Sequence, residues 1–184
     1  VSGVGYIYDA RVDNKTNKLR RHFDPGEDES GDPIPQIGIN CPEGAEWQAE
    51  KTGVCQLIMY DGESVGLCSG NLLNNTNEDF RPFILSAAHC ISLTTEQEVV
   101  QKDLDKWTFV FHYEKPTCSN GSVALNRGKS IVGCDVRTFL PFLGMSDGLL
   151  LEAHTQVPEN YRVYYNGWDR WSVLPKTPAV GIHH

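Results

Sequence analysis

The chain predicts an all-β protein built on an antiparallel β-barrel, on three observations: short runs with a period of two, turn residues between them, and dispersed cysteines. WTFVFHY at 107–113 sets Trp107, Phe109, Phe111 and Tyr113 on one face and Thr108, Val110 and His112 on the other, the alternation of a half-buried strand. Seventeen glycines and ten prolines supply abundant turn residues. Six cysteines stand at 41, 55, 68, 90, 118 and 134 with no CxxC pair. An even, dispersed set of this kind reads as three disulfides formed in an oxidising compartment, and close metal-ligand spacing is missing, so no metal is expected.

Taken in order, GYIYDARV at 5–12 alternates as a strand, either the end of a pro-region or an added edge strand. DPGEDESGDPIPQ at 24–36 mixes prolines, glycines and acids without apolar periodicity, which marks a solvated linker. Residues 1–37 are therefore expected to precede the compact domain. VCQLIMY, the turn DGES, VGLCSGNLL, the polar tip NNTNED and FRPFILSAA read as a three-strand meander with antiparallel pairing. Residues 94–106 are the one candidate helix, with a loop carrying a single helical turn as the alternative. SIVGCDVRTF, GLLLEA and RVYYNGW add three strand candidates, so about six strands form one barrel over 38–155 and residues 156–184 begin a further unit.

Charge and hydropathy exclude several functions. A net charge of −8 is the wrong sign for nucleic acid or an anionic membrane surface. No run reaches the roughly 18 apolar residues of a membrane helix, and the first residues do not have the layout of a signal peptide. Neither a nucleic-acid nor a membrane partner is expected, and secretion is the expected localisation.

The segment that carries chemistry is Ser86-Ala87-Ala88-His89-Cys90, at the end of an apolar strand. With CPEG at 41–44, CSGNLLNNT at 68–76, SDGLLLE at 146–152 and GWDR at 167–170, it resembles the lysyl endopeptidase branch of the trypsin-fold serine proteases, from about Gly38 to His184. The resemblance implies a trypsin-like first barrel followed by the start of a second. It implies His89 as general base, a role suited to an imidazole whose ordinary pKa, about 6.5, lets it take and return a proton near neutrality. It also implies Asp147, directly before GLLLE, as the carboxylate that orients the base, although Gly148 stands where a larger apolar residue is usual. Asp147 read without the resemblance is a turn residue, and Asp135 and Asp169 are competing acids that do not precede an apolar strand.

No GxSG string occurs in the chain, so no nucleophile is assigned within it; Ser69, in CSGN, precedes the histidine and is no substitute. The implied function is a secreted serine endopeptidase of lysine preference acting on polypeptides, in which this chain supplies histidine and aspartate and the C-terminal half supplies serine. A non-catalytic, protease-like binding module is the alternative. The resemblance implies the pairs Cys68 with Cys90 and Cys41 with Cys118, which leaves Cys55 with Cys134 as a third bridge between neighbouring strands. No cofactor is implied. His183 and His184 do not make a metal site by themselves, Trp168 and Trp171 are expected in the core, and Val1 is not expected to form an activating ion pair. The sequons at Asn14, Asn74 and Asn120 are assigned no role.

Overall fold

The computed structural model describes residues 3–6, 37–60, 65–90, 101–118, 129–140, 147–170 and 180–184. Its strands in chain order are β1 (Gly3–Tyr6), β2 (Val54–Tyr60), β3 (Val65–Leu73), β4 (Phe83–Ala87), β5 (Thr108–Phe111), β6 (Ser130–Val132), β7 (Cys134–Phe139), β8 (Gly148–Ala153) and β9 (Val180–His183). Two 3-10 turns, Pro42–Trp47 and Glu50–Gly53, lead into β2. One helical turn, α1 (Gln101–Leu104), is what the described residues show of the helix expected over 94–106; residues 91–100 lie outside them.

Seven strands form one antiparallel sheet in the order β6-β5-β2-β3-β4-β8-β7, and β1 pairs with β9 in a separate ribbon. The expected meander is β2, β3 and β4, each the neighbour of the next. The outer strands β6 and β7 are successive segments of one strand-like run, SIVGCDVRTF, separated by Gly133 alone. Gly133 donates its N–H to Trp107 O at 2.9 Å, next to β5, and accepts the N–H of His154 at 3.0 Å, just past β8. The sheet therefore curls until its two edge strands, which form no ladder with each other, meet at this residue. Gly133 has a φ of 85°, and an added Cβ would lie 2.5 Å from the His154 ring. Only glycine takes that backbone position without strain.

The interior follows from the period-two pattern. Leu57, Leu72, Ile84, Phe109, Phe111, Leu149 and Leu151 are fully buried in a single core with Trp107 and Ile131. Gly70 lets the strands approach, since a Cβ there would meet Leu57, Ile84 and Cys55 Sγ. RVYYNGW, expected as a strand, forms none: its one bridge joins Asn166 to Leu73. The segment is instead pinned by side chains, with Tyr165 donating to Phe80 O and Asn166 to Glu50 O and Asn71 Oδ1, and Tyr161 just before it donates to Ser130 O.

Cys41–Cys118 and Cys68–Cys90 are disulfides, with Cα separations of 4.5 and 6.5 Å. The expected third bridge is corrected: Cys55 and Cys134 are both buried thiols. Cys55 lies on β2 and Cys134 on β7, and β3, β4 and β8 stand between those strands in the sheet, so they are not neighbours. Each sulfur donates to a carbonyl instead, Cys55 to Gly70 O and Cys134 to Leu104 O. Trp168, expected in the core, is 50% exposed and donates its indole N–H to Asn74 O. Val1, Asn14, Asn120 and Trp171 lie outside the described residues.

Candidate functional site

β4 and β8 are antiparallel neighbours, and their register sets Ala87 opposite Gly148. The chain leaving β4 turns at once into a 3-10 turn, Ala88–Cys90, which carries His89. The residue entering β8 is Asp147. Two residues 58 positions apart in sequence are thus brought side by side by the pairing of the strands next to them. The backbone locks the join, because Ala88 N–H donates to Asp147 O at 3.0 Å.

Asp147 grips His89 twice. Its Oδ2 lies 2.7 Å from His89 Nδ1, and its Oδ1 accepts the His89 backbone N–H at 2.9 Å. The aspartate has a φ of 55°, a left-handed conformation that aspartate tolerates better than most residues. The His89 side chain is 14% exposed and that of Asp147 23%. With Nδ1 carrying the proton toward the carboxylate, Nε2 presents its lone pair and is the atom able to act as a base.

The Cys68–Cys90 disulfide ties the turn after His89 to β3, and Cys90 Sγ lies 3.9 Å from His89 Nε2. Ser86, in the segment before the histidine, donates its hydroxyl to Ser69 O at 2.8 Å and touches Cys90 Sγ at 3.8 Å. This link between β4 and β3 has no signal in the sequence beyond a small polar residue in an apolar strand. Cys68, His89 and Cys90 cluster closely enough to resemble a metal site, but the two sulfurs are bonded to each other and offer no thiolate.

The competing acids lie elsewhere. Asp135 is on β7 opposite Glu152 and faces Arg137 and His154. Asp169 lies on the exposed stretch after Gly167. The Ser69 hydroxyl accepts the backbone N–H of His184 at 2.8 Å. His183 ends β9, and His184 rests its ring 5.7 Å from that of Tyr113.

Comparison with known proteins adds to this geometry. The family described as the C-terminal domain of lysyl endopeptidase matches residues 29–184. A protein called lysyl endopeptidase from Pseudomonas aeruginosa (strain PAO1) is 30% identical over 124 residues, which cover 67% of this chain and 24% of that protein. The chain therefore spans about a quarter of the length of the curated relative it matches.

Proposed function

Because the chain belongs to the family of the lysyl endopeptidase C-terminal domain, we propose that it is the histidine- and aspartate-bearing part of a serine endopeptidase. The observation that carries this reading is the double grip of Asp147 on His89, through the ring and through the backbone. It fixes both the tautomer and the orientation of the imidazole, which are the two services an acyl-transfer base needs from its carboxylate.

In the proposed reaction, His89 Nε2 takes the proton of a serine hydroxyl as its oxygen attacks the scissile carbonyl. The tetrahedral adduct then collapses and Nε2 returns the proton to the leaving amine. Asp147 keeps its hydrogen bond to the ring and stabilises the imidazolium formed between those two steps. The serine, the oxyanion hole and the acid that would select lysine belong to residues outside this chain, which has no GxSG string. Residues 38–155 are the first barrel of such an enzyme, residues 156–184 begin the second, and residues 1–37 are an N-terminal segment with an acidic linker. The substrate is a polypeptide. Two disulfides in the barrel support a secreted protein, and among the described residues no helix is long and apolar enough to cross a membrane.

The test is made on a longer product that includes a downstream GxSG serine. A fluorophosphonate should label that serine, and His89→Ala should lower kcat by about 10⁶. The 184-residue chain alone should neither label nor hydrolyse lysyl peptides. Labelling of the short chain at any serine, or full activity of the longer product with His89→Ala, defeats the reading and leaves the binding-module alternative.

A further inference from the structure

The turn that carries His89 is held from two sides, by different means. On the side of β8 the hold comes from Asp147, through its carboxylate and through the bond of Ala88 N–H to Asp147 O. On the side of β3 the ladder ends early. Its last pair is Asn71 with Leu85, whereas β4 stays paired with β8 as far as Ala87 and Gly148. Two side-chain links take over where that ladder stops. Ser86 lies on the face of β4 that buries Ile84 and donates its hydroxyl to Ser69 O at 2.8 Å, and Cys90 is bonded to Cys68. Two adjacent residues of β3, Cys68 and Ser69, thus hold the chain just before and just after the base.

Ser69 also reaches in a second direction. Gly70 and Leu72 face the core, so the alternation of β3 turns the Ser69 side chain to the outer face. There its Oγ accepts the N–H of His184 at 2.8 Å and lies 3.5 Å from His184 O. His184 directly follows β9. One residue of β3 therefore holds β4 by its carbonyl and the end of β9 by its hydroxyl. A continuous path runs from β9 through His184, Ser69 and Ser86 to the turn at His89, and each of its two arms depends on a single serine hydroxyl.

We propose that Ser69 and Ser86 are positioning residues that set where the base stands relative to β9. This rests on the proteolytic reading, in which β9 begins the unit that brings the nucleophile. His89 Nε2 must then meet a hydroxyl carried by that other unit, and a misplacement of about 1 Å costs on the order of 10² in rate. Asp147 orients the ring from β8. The disulfide holds the turn to β3, and Ser69 extends that hold to β9. Neither serine gives up a proton in the reaction; both act through the geometry of His89.

The test uses a longer product that carries the downstream serine, together with the 184-residue chain. Ser86→Val removes the donor at the volume of threonine, and Ser69→Ala removes the hydroxyl that meets His184. Each should lower kcat by about 10- to 100-fold with KM unchanged, and Ser86→Thr and Ser69→Thr, which put a hydroxyl back, should restore the rate. Because the two arms form one chain, the double variant should be about as slow as the slower single variant. In the 184-residue chain the His184 amide should exchange about tenfold faster in Ser69→Ala, and the His89 ring resonances should move with it. The proton between His89 Nδ1 and Asp147 should persist in every variant. Thermal melts establish which variants are folded, and if that of one arm is not, the other decides. Full kcat in a folded variant, threonine no better than valine at 86, multiplied losses in the double variant, or loss of the proton shared with Asp147 overturns the proposal. A longer product that is inactive with every residue intact defeats the proteolytic reading instead. The His184 exchange rate and the His89 resonances of the short chain then decide this one, and if neither changes in Ser69→Ala it falls.

Discussion

Asp147 combines a φ of 55° with hydrogen bonds from both the ring and the backbone of His89, so its shape and its charge are separable by mutation. In a longer product that carries the serine, Asp147→Asn keeps the shape but offers an amide where Nδ1–H needs an acceptor, and kcat should fall by about 10⁴. Proteolysis at the ordinary rate by Asp147→Asn would remove the aspartate from the mechanism. The adjacency of the two was implied by the family resemblance that SAAHC and SDGLLLE carry, whereas Asp147 read alone is a turn residue. The fate of Cys55 and Cys134 was not. Elimination left them as a pair, whereas each is a thiol in the hydrophobic core, and neither burial nor strand order is visible in cysteine spacing. Burial raises the Cys55 thiol pKa and pushes that of Cys134 up to about 12, so neither is a thiolate at neutral pH. A thiol reagent should find no reactive cysteine in the native protein and two after denaturation without reductant; rapid modification of the native chain would contradict the burial.

β6 and β7 show what an element-level reading catches and what it misses. SIVGCDVRTF reads correctly as strand, but its double role, one half at each edge of the sheet, rests on the positive φ of Gly133 and on the hydrogen bonds it donates to Trp107 O and accepts from His154 N–H. A lone glycine in a strand says only that a bulge or close approach is near. Gly133→Ala places a Cβ on a backbone that alanine resists and presses it against His154, at a cost of about 1–3 kcal/mol. The melting temperature should drop by several degrees; an unchanged melt would show that the bend tolerates a side chain. RVYYNGW failed as a strand for the opposite reason. Its alternation is real, but Tyr165 donates its hydroxyl to Phe80 O and Asn166 its amide to Glu50 O and Asn71 Oδ1, and long-range anchoring of that kind leaves no local trace. The pairing of β1 with β9 joins residues at the two ends of the sequence, and no local pattern specifies such a partner.

At the scale of the molecule, acid works against the folded state through two separate groups, His184 and Glu152. Burial lowers the pKa of His184 to about 4 from an ordinary 6.5, so between those values the unfolded chain binds a proton that the native chain refuses. The native state keeps this advantage above pH 6.5 and loses it as pH falls toward 4. Hydrogen bonds from Arg81 and then Arg137 hold Glu152 below its ordinary 4.5, which adds a further loss in more acidic solution. Melting temperatures measured from pH 7 to 4 should fall, and His184→Phe should flatten the part above pH 4.5; an unchanged slope would exclude His184 as its source. The curled sheet also bears on how the protein is made. Every strand of the barrel, and both partners of the histidine–aspartate pair, lie between residues 54 and 153. A nascent chain therefore has all seven strands of the sheet and both members of the pair outside the ribosome once residue 153 is free of the exit tunnel, while Val157, Tyr161 and Tyr165, which complete the packing, are still inside it.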